Sequence, residues 1–348
     1  VRASGENVGL YAISQGTYTY GSNYDETYVG ADFEITQRAI TITADAGQSK
    51  TYGDADPTLT ATVTSGTIVG GDVATGSLVR AAGENVGLYA ISQGTYTYGS
   101  NYDLSFLEGN LEITVREIEV TADDQAKVYG EADPALTYQI TSGSLAFSDA
   151  FTGALGRDAG EDVGNYAITQ GTLALSSNYD LSFVEGNLEI TVREVEVTAD
   201  DQTKVYGEAD PALTYQVTSG SLAFSDAFTG ALGRDAGEDV GNYAITQGTL
   251  ALSANYDLSF VEGNLEITVR EIEVTADDQT KVYGEADPAL TYQITSGSLA
   301  FSDAFTGALG RDAGEDVGNY AITQGSLALS ANYDLSFVEG NLEITERA

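Results

Sequence analysis

Four lysines recur along the chain, each two residues before a Tyr-Gly pair, and their spacing is the first sign of chemistry in the sequence. A lysine that is buried in an apolar pocket loses its proton and can then form an isopeptide bond with a neighbouring Asn or Asp. Lys127 instead lies between the polar segment 123–126 and a turn, which favours a solvated ammonium group paired with nearby acids. The equivalent residues are Lys50, Lys204 and Lys281.

Acidic residues cluster near turns in every repeat. In residues 116–192 the candidate metal ligands are Asp123, Asp124, Asp158, Glu161 and Asp162, with equivalents in the other repeats. Calcium takes about six to eight oxygen ligands, and loops rich in Asp and Gly supply them. The sequence has neither an EF-hand loop nor a GGxGxD nonapeptide. Two predictions therefore stay open: calcium sites that stiffen the junctions between repeats, or solvated acids with no cofactor.

Tyrosines form short clusters that suit either sugar binding or core packing. Tyr18, Tyr20 and Tyr24 fall on one face if a strand runs through them, and exposed rings in a row can stack on sugars. The same cluster recurs 78 residues later. The later repeats have Leu173 and Leu175 in its place, which favours core filling.

Composition argues against an enzyme and against a nucleic-acid partner. Without His or Cys, the usual catalytic triads and the thiol or imidazole metal sites are unavailable. The formal net charge of −39 repels nucleic acid and anionic lipid and keeps a long polymer soluble. No stretch of apolar residues is long enough for a membrane span. We predict a non-enzymatic protein that makes no direct membrane insertion.

A repeat of 77 residues organises the whole chain. Such a period indicates an array of small domains and not a single large one. The repeated motif is Tyr-Gly, an acid, Ala, Asp and Pro. It suits either a ligand platform or, more simply, a turn in which Gly permits a positive φ and Pro fixes φ. The motif residues are Tyr52, Gly53, Pro57, Tyr129, Gly130, Pro134, Tyr206, Gly207, Pro211, Tyr283, Gly284 and Pro288.

The period divides the chain into one half-repeat and four repeats. Residues 1–37 match only the C-terminal half of a repeat, which predicts that the chain starts inside a domain of a longer array. Repeat 1 is divergent, and the next three are near-copies. The predicted boundaries are 38–115 for repeat 1, 116–192 for repeat 2, 193–269 for repeat 3 and 270–348 for repeat 4.

Short alternations of apolar and polar residues predict β-strands throughout. In repeat 2 they cover LEITV, EIEVTA, LTYQI, NYAIT, TLAL and NYDLSF, and turn residues separate them. Gly-Asn at 186–187 predicts a tight hairpin. Only residues 147–155 have an apolar spacing that suits a helical turn, and the same residues also suit a short strand.

The junctions between repeats carry no Gly, Pro or Ser linker. From Leu111 to Ala122 the apolar positions change from odd to even numbers, which moves the buried side to the other face of the chain. This pattern predicts that the last strand of one domain runs almost directly into the first strand of the next. Direct junctions restrict hinge motion, so we predict an all-β tandem array of small domains that forms an elongated rod. Each domain would be about 30 Å across.

The blocks TADDQAKVYGEADPALTYQITSGSL, GALGRDAGEDVGNYAITQGTL and NYDLSFVEGNLEIT resemble the MBG domain of YGX type. The resemblance covers essentially the whole chain. It implies a mostly β module, either a β-sandwich or a β-grasp-like domain, that serves as a stalk or adhesive repeat in large bacterial surface proteins such as filamentous-haemagglutinin-like adhesins. The family name is also associated with mucin binding. The resemblance brings no catalytic residues.

These observations predict the stalk of an extracellular bacterial adhesin or surface fibre. Its partners would be the neighbouring repeats, and it would lie on the cell surface or in a secreted matrix. Two alternatives remain open. One is a multivalent module that binds host or matrix glycans, with avidity from copy number. The other is a self-assembling filament in which another copy completes the strand edges of residues 1–37.

Overall fold

The computed structural model describes residues 1–348, which form thirty β-strands and no helix. The all-β prediction is therefore confirmed, and no helix is present that is long and apolar enough to cross a membrane. The chain divides into two compact units. The first consists of Val1–Gln125, Pro134–Ala159 and Tyr166–Leu188, and the second of Ala126–Asp133, Gly160–Asn165 and Glu189–Ala348.

The first unit holds the half-repeat, repeat 1 and part of repeat 2. The half-repeat forms β1 (Gly9–Ile13) and β2 (Ala31–Ile35). Repeat 1 forms β3 (Arg38–Ala44), β4 (Gln48–Thr51), β5 (Ala61–Ser65), β6 (Val79–Arg80), β7 (Gly87–Ser92), β8 (Tyr102–Leu107) and β9 (Gly109–Thr114).

Repeat 1 consists of two small mixed sheets. One has the order β5-β3-β8, in which β3 pairs antiparallel with β5 and parallel with β8. The other has the order β4-β9-β7-β6, in which β4 and β9 are parallel and the remaining pairs are antiparallel. Consecutive strands, such as β3 and β4, therefore belong to different sheets at several points. Both sheets are completed by pairing between strands that lie far apart in the sequence.

The core of repeat 1 follows from the alternation of apolar residues along its central strands. Ile40 and Ile42 on β3, and Leu111 and Ile113 on β9, are at most 2% exposed. The residues between them are polar and reach solvent. Because side chains alternate between the faces of a strand, each central strand contributes one apolar face to the core.

Repeat 2 forms seven strands in the same order as repeat 1. They are β10 (Arg116–Ala122), β11 (Gln125–Val128), β12 (Tyr138–Ser142), β13 (Gly156–Arg157), β14 (Gly164–Thr169), β15 (Tyr179–Val184) and β16 (Gly186–Thr191). Its three-stranded sheet, with the order β12-β10-β15, lies within the first unit.

The second unit holds repeats 3 and 4, which have the same two sheets as repeat 1. Repeat 3 forms β17 (Arg193–Ala199), β18 (Gln202–Val205), β19 (Tyr215–Gly220), β20 (Gly233–Arg234), β21 (Gly241–Thr246), β22 (Tyr256–Val261) and β23 (Gly263–Thr268). Repeat 4 forms β24 (Arg270–Ala276), β25 (Gln279–Val282), β26 (Tyr292–Ser296), β27 (Gly310–Arg311), β28 (Gly318–Thr323), β29 (Tyr333–Val338) and β30 (Gly340–Thr345).

The junction between repeats 1 and 2 is a single residue, because β9 ends at Thr114 and β10 begins at Arg116. Val115 lies between the two strands and is 41% exposed, although the alternation predicts it to be buried. The predicted change of buried face is confirmed, since Ile113 and Ile118 are both 1% exposed. One linking residue turns the chain from a sheet of repeat 1 into a sheet of repeat 2.

Three local predictions are wrong. The predicted strand TLAL at 172–175 does not form, and Ala174 makes only an isolated bridge with Thr152. Residues 147–155 form neither a helical turn nor a strand, and Phe147 adopts a left-handed backbone with φ of 53°. The hairpin predicted at Gly186 does not form, because the strand before it and the strand after it belong to different sheets. Gly186 is instead a site of close packing, where an added Cβ would lie 2.8 Å from the carbonyl oxygen of Ala122.

The half-repeat forms only the two-stranded antiparallel sheet of β1 and β2. Its residues 24–29 correspond in sequence to β8 but form no strand. In repeat 1, β8 pairs in parallel with β3, and the half-repeat has no counterpart of β3. The Tyr24 ring is consequently 68% exposed, whereas the equivalent Tyr102 is 4% exposed.

Candidate functional site

The lysine predicted to be solvated is buried in every repeat. In repeat 1 its Nζ lies 2.7 Å from Asp56 Oδ1 and 2.6 Å from Glu84 Oε2. Arg80 reaches the other oxygens of the same two carboxylates, at 2.7 Å and 2.5 Å. We call Lys50, Asp56, Arg80 and Glu84 the lysine cluster. The predicted pairing with nearby acids is thus observed, but the lysine side chain is buried while the two carboxylates remain partly exposed.

The lysine cluster is a set of fully ionised groups. Burial alone would lower the pKa of Lys50, but its hydrogen bonds to Asp56 and Glu84 outweigh burial and raise that pKa. Hydrogen bonds from Arg80 and then from Lys50 lower the pKa of Asp56 from 3.8 to about 2. The pKa of Glu84 is lowered by Lys50 and then by Arg80. An ammonium group held in this way is not a nucleophile, because amide formation needs the free amine.

The cluster recurs around the other three lysines. Lys127 lies 2.7 Å from Asp133 and 2.6 Å from Glu161. In repeats 3 and 4 the same contacts join Lys204, Asp210, Glu238 and Arg234, and Lys281, Asp287, Glu315 and Arg311.

The five candidate calcium ligands do not come together. Asp123 accepts a hydrogen bond from Thr137 Oγ1 at 2.7 Å, and Asp124 accepts one from the backbone N–H of Asn187 at 2.8 Å. Asp158 pairs through its backbone N–H with the carbonyl of Ala167.

Of the last two candidates, Glu161 belongs to the cluster of Lys127, and Asp162 accepts a hydrogen bond from Asn255 of the next repeat. No group of three or more His, Cys, Asp or Glu side chains is arranged to hold a metal ion. Calcium binding by these acids stays a prediction.

The Tyr-Gly motif lies at the junction between repeats. The Tyr52 ring of repeat 1 is 5% exposed and packs edge-on against Tyr179 of repeat 2, with ring centroids 5.4 Å apart. Its hydroxyl donates to Asp149 Oδ2 at 2.9 Å, and the Tyr179 hydroxyl donates to the same oxygen at 2.8 Å. One carboxylate of repeat 2 therefore joins tyrosines from two repeats.

Gly53 allows the two repeats to come into contact. Its φ is +84°, and an added Cβ would lie 2.3 Å from the Cβ of Ala146 in repeat 2. Any other residue would be strained at this φ and would collide with Ala146. We call Ala146, Phe147, Asp149 and Tyr179 the acceptor site of repeat 2.

Two further contacts hold the same junction. Asn178 Oδ1 accepts the backbone N–H of Val86 at 2.9 Å, and its Nδ2 donates to Asn85 Oδ1 at 3.0 Å. Arg116, the first residue of repeat 2, donates from Nε to the carbonyl of Tyr52 at 2.6 Å. Asn178 is 8% exposed, and no buried side-chain nitrogen or oxygen in the structure lacks a partner.

The junction buries a continuous apolar cluster formed by both repeats. Ile113 of repeat 1 and Ile118 of repeat 2 are in one cluster with Tyr52, Val120 and Tyr179. Burial of such side chains stabilises by about 1.5–3 kcal/mol each. The two repeats share part of their core, so each stabilises the other.

The same contacts recur at the two junctions in the second unit. Tyr129 and Tyr206 are both 5% exposed, and their hydroxyls donate to Asp226 and Asp303 at 3.0 and 2.9 Å. Added Cβ atoms on Gly130 and Gly207 would lie 2.3 and 2.2 Å from Ala223 and Ala300. Tyr283, in repeat 4, is 47% exposed.

The tyrosine clusters differ between the half-repeat and repeat 1. Tyr96 and Tyr98 pack against the buried residues of repeat 1, beside Tyr102. Their equivalents Tyr18 and Tyr20 are 62% and 69% exposed. In a complete repeat the cluster is thus part of the core, as the leucines of the later repeats predict.

Comparison with known proteins identifies the repeat. The chain belongs to the MBG domain (YGX type) family, whose model matches residues 40–112, 118–189, 195–266 and 272–343. Among solved structures, the crystal structure of the I9–I11 tandem from titin is similar over 68% of this chain and 98% of that chain. Its TM-score is 0.21, and the sequence identity is 9%. No curated protein matches the chain.

The sequence singled out the Tyr-Gly motif but missed its partners. Asp149, Asn178 and Arg116 carry the junction, and none of them was a candidate site residue. The available signal was positional, since each recurs with the same period as the tyrosine. A polar residue kept in every copy, with no evident role in its own repeat, is a candidate for contact between copies.

Proposed function

We propose that the chain is the repeat region of an extracellular bacterial adhesin or surface fibre, a stalk that projects a distal binding domain. The observation that carries the proposal is the junction. A single residue joins β9 to β10, and the Tyr-Gly motif is held in the acceptor site of the next repeat. A stalk needs stiff connections between domains, and these contacts restrict bending more than a flexible linker would.

The composition supports a place outside the cell, on the bacterial surface or in a secreted matrix. The net charge of −39 keeps a long polymer soluble. The chain holds no Cys and no Met, so the side chains that oxidise most readily are missing. The neighbouring repeats are the proposed partners. Labelling of intact bacteria with an antibody raised against the purified chain tests this location.

Small-angle X-ray scattering of the full chain tests the mechanical role. The variant carries a Gly-Ser linker after Val269, between repeats 3 and 4. The control carries the same linker between Gly70 and Gly71, where an added Cβ would meet no atom within 4 Å. We expect the wild-type chain and the control to be equally extended and stiff, and the Val269 insertion to be more flexible. A wild-type chain as flexible as the Val269 insertion would exclude the stalk.

A further inference from the structure

The first and last strands of a repeat run side by side in the same direction. In repeat 3, β17 pairs in parallel with β22 over six residues, from Arg193 opposite Tyr256 to Thr198 opposite Val261. Both segments then pass into the other sheet, where β18 pairs in parallel with β23 over four residues. The N-terminal and C-terminal segments of the repeat therefore form one bent parallel ribbon.

Hydrogen bonds extend this pairing beyond the strands at both ends. At the start, the Arg193 N–H donates to the carbonyl of Asn255 at 3.0 Å. At the end, the Tyr206 N–H donates to the carbonyl of Thr268 at 2.9 Å. We call the two paired segments the terminal ribbon, which consists of residues 193–206 and 255–268.

The bend of the terminal ribbon is closely packed. Asp201 Oδ1 accepts the backbone N–H of Asn264 at 2.7 Å. An added Cβ on Gly263 would lie 2.9 Å from the carbonyl oxygen of Ala199. The two segments therefore stay in contact where they pass from one sheet to the other.

The terminal ribbon also carries part of the core and the buried lysine of the repeat. Val197 and Leu265 are fully buried, so water has little access to the hydrogen bonds around them. The Lys204 ammonium group binds Asp210 and Glu238, each at 2.6 Å. These ion pairs fix β18 to the part of the repeat that lies between the two terminal segments in the sequence.

Tension along the array acts on the two ends of the terminal ribbon. Val192 alone links β16 to β17, and Val269 alone links β23 to β24. A pull from the neighbouring repeats is thus applied at opposite ends of two parallel segments and is directed along their strands. The hydrogen bonds between parallel strands are evenly spaced. They share this pull and must break together.

We propose that each repeat is a clamp that resists tension, and that the terminal ribbon is the part that holds. Unfolding under force is governed by the rate of unfolding and not by equilibrium stability. That rate is low when many hydrogen bonds break in one step, because each of them adds to the barrier. Resistance to tension is a function in addition to that of a stiff stalk, since a chain can be stiff without being strong.

The direction of the pull decides how the terminal ribbon opens. Glu194 and Asp257 lie opposite each other near its start, so pulling them apart opens the pairs one after another. Glu194 and Glu266 lie near its opposite ends, so pulling them apart shears the ribbon as a whole. All three residues are exposed, and the chain contains no Cys. Cysteines placed at these positions are therefore the only points at which thiol-reactive handles attach.

Optical tweezers test the proposal on the full chain, with DNA handles on two engineered cysteines. The shear variant carries Glu194→Cys and Glu266→Cys, and the zipper variant carries Glu194→Cys and Asp257→Cys. Each variant loses two carboxylates, so the two are matched in charge. At one loading rate we expect the shear variant to unfold at about twice the force of the zipper variant or more. Equal forces, or a higher force for the zipper variant, would overturn the proposal.

Two further measurements complete the test. Urea unfolding of both variants without handles should give equal free energies of unfolding, so that the difference in force reports the direction of the pull. The chain without internal substitutions, held by short tags at its two ends, should extend with a separate force peak for each repeat that unfolds. Smooth extension without peaks would refute the clamp, even where a cysteine variant is poorly folded. Scattering measures stiffness and not strength, so the stalk and the clamp can fail independently.

Discussion

A tyrosine suits the junction because it combines an apolar ring with a hydroxyl at its far end. The ring of Tyr206 is buried in a cluster formed by repeats 3 and 4, and its hydroxyl reaches Asp303. A phenylalanine would keep the packing and lose the hydrogen bond. The contribution of the hydroxyl can therefore be separated from that of the ring by one substitution.

Tyr206→Phe should lower the free energy of unfolding by about 1–3 kcal/mol, because a hydrogen bond to a charged acceptor is removed. Tyr283→Phe is the matched control, since the same motif is 47% exposed there. Urea unfolding of the full chain, followed by circular dichroism, measures both. Equal effects of the two substitutions would contradict the role of the motif at the junction.

Gly207→Ala should destabilise by about 1–3 kcal/mol more than Gly284→Ala. The two glycines have nearly the same φ, +83° and +85°, so the backbone strain is common to both. Only Gly207 has Ala300 at 2.2 Å from the added Cβ, whereas Gly284 has nothing closer than 3.8 Å. The difference in thermal midpoint between the two variants isolates the contact between repeats. No difference would mean that the repeats separate without cost.

The intact mass of the purified chain should equal the mass of the sequence, 36.4 kDa, with no water or ammonia lost. Each isopeptide bond from a lysine to an aspartate would remove one water, and each bond to an asparagine would remove one ammonia. The nearest acids of Lys50 are ionised, and its own pKa is raised, so the amine is not free. High-resolution mass spectrometry gives the answer, and a deficit of one to four waters would contradict the ion-pair interpretation.

The individual roles of these residues could be predicted from the sequence only in part. Gly130 has the positive φ that the turn motif predicts, at 82°. The sequence did not reveal that the ring of Tyr129 enters the next repeat. Each repeat carries both the motif and an acceptor site. The same sequence pattern is therefore expected whether the motif contacts the acceptor site of its own repeat or that of the next repeat. Only the fold separates the two.

At the scale of strands, the pattern of apolar residues predicted most of the central strands and the change of face at the junction. It missed β11 and the two-residue strand β13, which are short and rich in polar residues. It also misjudged Gly186, because a Gly-Asn pair between two apolar runs is typical of a hairpin. The strands on either side lie in different sheets, and such long-range pairing leaves no local signal.

The lysine cluster links β4 and β6 with the turns that follow them, and it makes the fold sensitive to acid. The pKa values of Asp56 and Asp287 are lowered from 3.8 to about 2. Between these two pH values the carboxylates stay ionised in the folded chain, whereas they take up protons in the unfolded chain. The stabilisation is complete above about pH 4 and is lost as the pH falls towards 2. Thermal midpoints measured between pH 7 and pH 2 should show this decline.

An Asp287→Asn variant provides the control for the acid decline. It should unfold at a lower temperature than the wild-type chain at pH 7. Between pH 4 and pH 2 its thermal midpoint should fall less than that of the wild-type chain. The cause is that the neutral amide keeps one oxygen that accepts from Arg311 or Lys281, loses the other acceptor, and no longer titrates. If the variant and the wild type declined in parallel, the cluster would not be the source of the acid sensitivity.

At the scale of the whole molecule, the junctions should weaken in alkali. Burial, and then the hydrogen bond to Asp303, raise the pKa of Tyr206 above 10.0. The same holds for the other junction tyrosines. The stabilisation is therefore present below pH 10 and is lost as the pH rises above it, because the unfolded chain ionises first.

Ultraviolet absorbance of tyrosinate during titration with alkali measures this effect. We expect the junction tyrosines, whose pKa values are raised, to ionise together with loss of the circular dichroism signal. The variant with all three of Tyr52, Tyr129 and Tyr206 changed to Phe should lose part of this ionisation. A single ionisation step with no change in structure would contradict the proposed linkage.

The buried junction tyrosines, Tyr52, Tyr129 and Tyr206, have a consequence for how an array of these modules unfolds. Stability in a linear array is approximately the sum of the intrinsic stability of each module and one coupling energy for each neighbouring pair. A module whose Tyr-Gly motif is bound in the acceptor site of a following module gains one such coupling energy. Opening is therefore expected to begin at any module whose Tyr-Gly motif is not covered and to advance one module at a time. Added copies protect the interior of the array without changing any single module.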